Sequence, residues 1–114
     1  MLEELRGSNL DSVTFMSGYM AVAFDRGTAI TIFEWPLLMI QGEALRSGMP
    51  QYAEVLRTLV GHKVLNTTAT EDYFEIGFDN GVVLQVRLDT DGVGGEYAII
   101  RRGTQMVVWR AGGM

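Results

Sequence analysis

The sequence contains no cysteine, only two prolines and a single histidine, His62. The absence of cysteine excludes a disulfide framework, thiolate catalysis and zinc sites with cysteine ligands. Hydrophobic runs such as Tyr19–Phe24 and Trp35–Ile40 are far shorter than the roughly 18 residues of a membrane-spanning helix. The first residues, MLEELRGSNL, lack the basic and apolar regions of a signal peptide. We therefore expect a cytoplasmic protein that is not inserted in a membrane.

Positive charge is scarce as well. The sequence has nine basic and 14 acidic residues, and its net charge is -5 at pH 7. Because an acidic surface repels phosphate backbones, we expect no general binding of nucleic acid. Arg101, Arg102 and Arg110 follow Glu96 without an intervening acid. They predict a hairpin tip and a solvated chain end; the alternative is an anion site whose affinity would fall steeply with salt.

Catalytic and metal-binding motifs are missing. The sequence has no Walker-type phosphate loop, dinucleotide glycine fingerprint, HExxH zinc helix or serine elbow. His62 follows Gly61 at a predicted helix end, where an imidazole caps free carbonyls. The stretch DTDGVGGE, Asp89 to Glu96, starts like a calcium loop but lacks its third acidic ligand and twelve-residue spacing. It predicts a glycine-rich connection, and we expect no cofactor and no metal site.

Glu34 lies between two aromatic residues, Phe33 and Trp35. If the preceding strand continues, Glu34 falls on its inner face beyond Ile32, where a carboxylate needs a partner. If the strand ends before Pro36, the carboxylate is in water. Both alternatives are open, and Glu34 is the acid to test first for function.

Two stretches of the chain share one pattern. GYMAVAFDRGTAITIF, from Gly18 to Phe33, corresponds to DYFEIGFDNGVVLQVR, from Asp72 to Arg87, after a shift of 54 positions. The same shift aligns Leu2, Leu5 and Gly7 with Leu56, Leu59 and Gly61. The pattern predicts a single domain over residues 1–114 with internal repeat units 1–48 and 50–114.

Each stretch predicts a β-hairpin whose loop length fixes which side chains share a face. A two-residue loop would set Ile76 opposite Gln85 and force Arg26 to positive φ in the first copy. A three-residue loop with glycine in the left-handed position avoids both conflicts. The predicted cross-strand pairs are Phe78–Val82, Ile76–Leu84, Phe74–Val86, Glu75–Gln85 and Tyr73–Arg87.

The remaining segments complete an α+β prediction: three antiparallel β-hairpins, six to eight strands in total, with one or two helices packed on the sheet. IRRGT, from Ile100 to Thr104, echoes FDRGT and predicts the third hairpin with the same three-residue loop. Short strands are expected near Val13–Met16 and Lys63–Thr68. Helices are predicted from Pro36 to Gly48 and from Pro50 to Gly61.

In this register the outer face of the first hairpin has no charged residue, whereas that of the second carries Glu75, Gln85 and Arg87. The first face therefore needs a cover, which could be the helix after Pro36, a second copy of the protein, or a ligand or partner. The third hairpin looks apolar on both faces, with one predicted face of Tyr97, Ile99, Val107 and Trp109 and another of Ala98, Ile100, Met106 and Val108. The predicted binding or interface residues are Tyr19, Ala21, Ala29, Phe33, Trp35, Tyr97 and Trp109.

The repeated FD-x-G-x-x-(I/L)-x-(I/V) hairpin, FDRGTAITI and FDNGVVLQV, resembles a pattern in small uncharacterised bacterial proteins, including those carried on mobile integron gene cassettes. The resemblance covers about a third of the chain. It implies a compact, often oligomeric, cytoplasmic protein and supplies no catalytic residues.

The sequence thus predicts a non-catalytic homo-oligomer that binds a partner or small ligand through an apolar hairpin face or groove. The alternative is a small pocket enzyme, hydrolase-like or isomerase-like, working with Glu34, Asp72 and His62. That alternative requires the three side chains to converge within hydrogen-bonding reach.

Overall fold

The computed structural model describes residues 2–88 and 96–110, which form ten antiparallel strands, one α-helix and a short 3-10 helix, Leu2–Leu5. The α-helix, α1, spans Tyr52–Thr58. The coarse α+β prediction is confirmed, but ten strands exceed the six to eight expected. The strands are β1 (Leu10–Met16), β2 (Tyr19–Phe24), β3 (Thr28–Ile32), β4 (Leu37–Ile40), β5 (Glu43–Leu45), β6 (Val64–Ala69), β7 (Tyr73–Phe78), β8 (Val82–Arg87), β9 (Glu96–Arg102) and β10 (Gln105–Arg110).

The strands form two five-stranded sheets. Sheet 1 has the order β1-β2-β3-β9-β10, and sheet 2 has the order β6-β7-β8-β4-β5. Each sheet thus combines a three-strand meander from one half of the chain with a hairpin from the other half. The two halves exchange hairpins, so neither sheet is complete without both.

One hydrophobic core joins the two sheets and the helices. Its fully buried members alternate along the strands, as expected when only one face of each sheet is apolar. Helix α1 contributes the buried side chains of Tyr52 and Leu56 to this core, and Leu59, just after the helix, is buried there as well. The largest fully buried side chains are Leu5, Leu10, Met20, Ile30, Ile32, Leu38, Leu56, Leu59, Phe74, Ile76, Leu84 and Tyr97.

Two backbone hydrogen bonds between the halves are related by the same 54-residue shift: each joins residues equivalent to those of the other. The Gly7 amide donates to the Val64 carbonyl at 2.9 Å, and the Gly61 amide donates to the Leu10 carbonyl at 2.7 Å. Gly7 and Gly61 have φ of 86° and 91°, a conformation that glycine adopts without a side-chain clash. The starts of β1 and β6 are thereby held together, and the two sheets diverge from this junction.

The first two hairpins have the predicted register. Loops of three residues, 25–27 and 79–81, separate their strands, with Gly27 and Gly81 at φ of 84° and 87°. In sheet 2 the observed pairs include Ile76–Leu84, Phe74–Val86, Glu75–Gln85 and Tyr73–Arg87. In sheet 1 they are Met20–Ile32, Ala21–Thr31, Val22–Ile30 and Ala23–Ala29.

The predicted helix from Pro36 to Gly48 is wrong, because this segment forms the β4–β5 hairpin. Leu38 is completely buried and pairs with Leu84, so sheet 2 gains a strand where a helix was expected. Gln41 and Gly42, both at positive φ, make the hairpin turn. The second predicted helix is confirmed as α1, with narrower bounds than Pro50–Gly61.

The third hairpin exists, but its predicted register is wrong. Arg102 pairs with Gln105, so the loop has two residues, Gly103 and Thr104, rather than three. One residue of slip reverses the facing of a whole strand. Ile100 consequently pairs with Val107 instead of Thr104. The core face carries Ala98, Ile100, Val107 and Trp109, and the outer face carries Ile99, Met106 and Val108.

Candidate functional site

The outer face of the β2–β3 hairpin is the uncharged surface that the sequence predicts to be covered by another element or molecule. We call its six side chains the neutral face: Tyr19, Ala21, Ala23, Ala29, Thr31 and Phe33. None of the six is buried, and Ala29 is exposed. The rings of Tyr19 and Phe33 meet at one end, with centroids 5.9 Å apart. Three alanines leave a shallow floor beside this aromatic pair.

Strands β9 and β10 extend the neutral face across sheet 1. Ile99 pairs with Thr31, and Arg101 pairs with Ala29. Met106 pairs with Arg101 and has 57% of its surface exposed. The extension therefore adds apolar surface and one cation, Arg101. This extension could not be predicted, because the register expected for the third hairpin put Ile99 and Met106 on opposite faces.

No described helix lies on the neutral face. The predicted cover, a helix after Pro36, does not exist. Helix α1 contacts β1 instead, where the Arg57 guanidinium lies 5.4 Å from the centre of the Phe15 ring. Phe15 pairs with the fully buried Met20, so α1 packs at the sheet edge on the core-facing side of β1. Within residues 2–88 and 96–110 the neutral face stays uncovered.

Sheet 2 provides an internal comparison, because its β7–β8 hairpin has the same register. Glu75 and Gln85 occupy the positions that Ala21 and Thr31 occupy in sheet 1, and the Gln85 side-chain amide donates to Glu75 Oε2 at 2.8 Å. Arg87, at the position of Phe33, is exposed. The same backbone thus presents a hydrogen-bonded polar face in one half and a neutral face in the other.

The other predicted interface residues lie in different environments. Trp35, with 38% of its surface exposed, follows the neutral face in the chain. Tyr97 is fully buried and Trp109 nearly so, and the Trp109 ring packs on Phe74 with centroids 4.6 Å apart. Only Trp35 of these three therefore contributes surface beside the neutral face.

The residues of the alternative enzyme lie on separate elements. Glu34 is half-buried and follows the end of β3, so the strand stops before it. His62 precedes β6 and Asp72 follows it, so the length of β6, about 17 Å, separates them. His62 instead contacts Asp79, with Nδ1 and Oδ1 2.7 Å apart. No observation favours convergence of the three.

The three arginines near the chain end and the segment that resembles a calcium loop are only partly described by the structure. Arg101 belongs to the extended neutral face, whereas Arg102 makes a salt bridge with Glu4. The side chain of Arg110 and the DTDGVGG segment lie outside the described residues. Within the described part of the chain, no three His, Asp or Glu side chains are grouped in a way that could hold a metal ion. There, too, no helix combines the length and apolarity needed to cross a bilayer.

A cavity that sequence reasoning missed lies between the β4–β5 hairpin and the segment leading into α1. Its volume is about 440 Å³. The prediction of a helix from Pro36 to Gly48 concealed it, since the cavity exists only when this segment folds as a hairpin. The lining residues are Ile40, Gln41, Glu43, Ala44, Leu45, Met49, Gln51 and Val55.

Comparison of the chain with protein-family models, curated proteins and solved structures finds no match in any of the three.

Proposed function

We propose that this protein is a non-catalytic homo-oligomeric interaction protein whose copies associate through the neutral face and its extension on β9 and β10. One observation carries the proposal: the same hairpin occurs in both sheets, and only the copy in sheet 1 lacks charge on its outer face. A face exposed to water in the working protein gains solubility from charged residues, as the Glu75–Gln85 pair in sheet 2 illustrates.

A second copy of the chain suits this face. The alanines let another sheet approach closely, and sheets pack face to face at about 10 Å. Ala29 and Phe33 are four residues apart, about 13 Å along the strand. Arg101, which pairs with Ala29, therefore lies at the opposite end from the Tyr19–Phe33 pair. When two copies stack in antiparallel fashion, each Arg101 meets the partner's aromatic pair, a favourable cation–π arrangement.

The small size of the surface favours a weak association. The four strands β2, β3, β9 and β10, at about 4.8 Å spacing and about 17 Å length, give a face of roughly 330 Å² in projection. A typical stable interface buries about 800 Å² on each partner. Interfaces smaller than this are typically weak or transient, so we expect a dimer that is fully populated only at high protein concentration.

The direct test is the molar mass in solution, measured by light scattering from about 1 µM to about 1 mM protein. The wild type should approach twice 12.6 kDa as the concentration rises. The double variant Ala21→Glu/Thr31→Gln should stay monomeric. Its fold should survive because Glu75 and Gln85 are already accommodated as the equivalent pair in sheet 2. A wild type that is monomeric throughout, or a double variant that dimerises equally, contradicts the proposal.

A matched pair of single variants separates the effect of a charge on the neutral face from the effect of a change in net charge. Ala29→Asp adds a carboxylate to the neutral face, and Val83→Asp adds one at the equivalent position of sheet 2. Both side chains lie on outer faces and neither is buried. Only Ala29→Asp should shift the mass to that of the monomer. Equal effects would show that net charge rather than the neutral face controls association.

A further inference from the structure

The cavity beside α1 lies at a place where the two sheets carry different residues at equivalent positions. Arg102 pairs with Thr28, and Ile40 pairs with Val82, 54 residues further along. In sheet 1 Arg102 reaches the 3-10 helix and forms a salt bridge with Glu4. In sheet 2 the equivalent residue is the apolar Ile40, which cannot form such a bridge. A cavity of about 440 Å³ lies there instead, which is within the size range of small-molecule sites.

The lining divides into an apolar floor and a polar rim. Ile40, Leu45, Met49 and Val55 supply hydrocarbon and thioether surface, and Met49, 44% exposed, can adapt its shape to a bound group. The rim consists of Gln41, Glu43 and Gln51, all exposed. Among the described residues of the lining, Glu43 is the only one with an ionisable side chain, and it gives the cavity a negative end.

From this arrangement we propose that the cavity binds a small organic ammonium ion, with its hydrocarbon part on the floor and its charged group beside Glu43. The carboxylate attracts the cation, and the side-chain oxygens of Gln41 and Gln51 can accept hydrogen bonds from it. The proposal does not depend on oligomerisation, because no lining residue belongs to the neutral face.

Gln41 gives a second reason to treat the rim as a site. It is the only described non-glycine residue with positive φ, 51°, and with Gly42 at 84° it forms the tight turn of the β4–β5 hairpin. Asparagine suits the first position of such a turn better than glutamine. A left-handed backbone at a non-glycine residue is strained, and such strain is typical of ligand-binding positions; here the side chain of the same residue lines the cavity.

The test is an NMR titration of full-length protein with ¹³C-labelled Ile, Leu, Val and Met methyl groups. Three probes of equal chain length are compared: hexylammonium, 1-hexanol and hexanoate. We expect saturable shifts for methyls of Ile40, Leu45, Met49 and Val55. Hexylammonium should bind about two- to fivefold more tightly than hexanol, the effect of one exposed ion pair, and hexanoate should bind most weakly.

Two variants test whether Glu43 causes the preference for hexylammonium over hexanol. Glu43→Gln should abolish the preference for hexylammonium over hexanol, while Glu54→Gln, which changes an exposed acid of α1 that lies outside the lining, should preserve it. Absence of saturable shifts at the lining methyls would overturn the proposal. So would equal binding of hexylammonium and hexanol to the wild type, or a preference that persists in Glu43→Gln.

Discussion

His62 Nδ1 lies 2.7 Å from Asp79 Oδ1, and this hydrogen bond links the residue preceding β6 to the loop that follows β7. It holds the pKa of Asp79 below its usual value of 3.8, helped by the Lys63 backbone amide. A carboxyl group with a lowered pKa stabilises the fold above its unfolded-state pKa, and this contribution is lost as the pH falls through the folded value. Asp79→Asn should therefore destabilise the protein more at pH 7 than at pH 3, as measured by urea denaturation.

Asp25, at the equivalent position of the first half, provides the comparison. Its carboxylate accepts hydrogen bonds from the Asn9 backbone and side-chain amides, at 3.0 and 2.9 Å, and its pKa is also lowered. Asp25→Asn should thus show the same acid dependence. If Asp79→Asn destabilised the protein equally at both pH values, the contact with His62 would not lower the pKa of the Asp79 carboxyl group.

Gly77 and Asn66 form a second informative pair. A Cβ atom on Gly77 would overlap Asn66 Oδ1, so Gly77→Ala must displace the asparagine side chain. At the equivalent place in sheet 1, Ser12 pairs with Ala23. The double variant Asn66→Ser/Gly77→Ala should therefore be more stable than the wild type by about 0.4–1 kcal/mol, because alanine restricts the unfolded chain.

Thermal and urea unfolding of both single variants and the double variant completes a double-mutant cycle. Gly77→Ala alone should be the less stable of the two alanine-containing variants. If the two variants were equally stable, the close contact with Asn66 would carry no energetic cost.

The parts of the fold that could be predicted depend on local rules. In FDRGT and FDNGV, the alternation of the strands and a glycine at positive φ allow only one register that keeps the core face apolar. Segment LLMI is too short to distinguish strand from helix by periodicity, and its turn, Gln41–Gly42, uses an unusual glutamine. The expected helix therefore proved to be a hairpin.

Long-range features could not be predicted from the sequence pattern. The exchange of hairpins between the sheets depends on pairs such as Leu38–Leu84 and Ile30–Ile100, which no local rule specifies. The cavity depends on this exchange and was missed with it. The repeat units 1–48 and 50–114 stay a prediction about ancestry, although their contacts correspond in space.

Tyr52 gives a prediction at alkaline pH. Its hydroxyl donates to the Pro36 carbonyl, and burial raises the pKa of the phenol above its usual value of 10.0. A raised pKa means that Tyr52 stabilises the fold fully below pH 10 and progressively less above it. Tyr52→Phe should therefore cost about 1–2 kcal/mol at pH 8, from the lost hydrogen bond.

The difference between wild type and Tyr52→Phe should narrow when urea denaturation is repeated above pH 10. All other tyrosines are common to both proteins, so their ionisation cancels. A difference that stayed constant between pH 8 and pH 11 would show that the Tyr52 phenol ionises with an unshifted pKa.

Arg101 tests the orientation of the proposed dimer. If each Arg101 meets the partner's Tyr19–Phe33 pair, Arg101→Ala removes two equivalent contacts of about 0.5–1 kcal/mol each, which weakens dimerisation roughly 5- to 30-fold. Concentration-dependent light scattering or sedimentation measures the change. Arg87→Ala removes an exposed arginine from the outer face of sheet 2 and should leave the dissociation constant unchanged. Unchanged or tighter association of Arg101→Ala would reject the antiparallel arrangement, and the Ala21→Glu/Thr31→Gln result would still decide whether the neutral face is the interface.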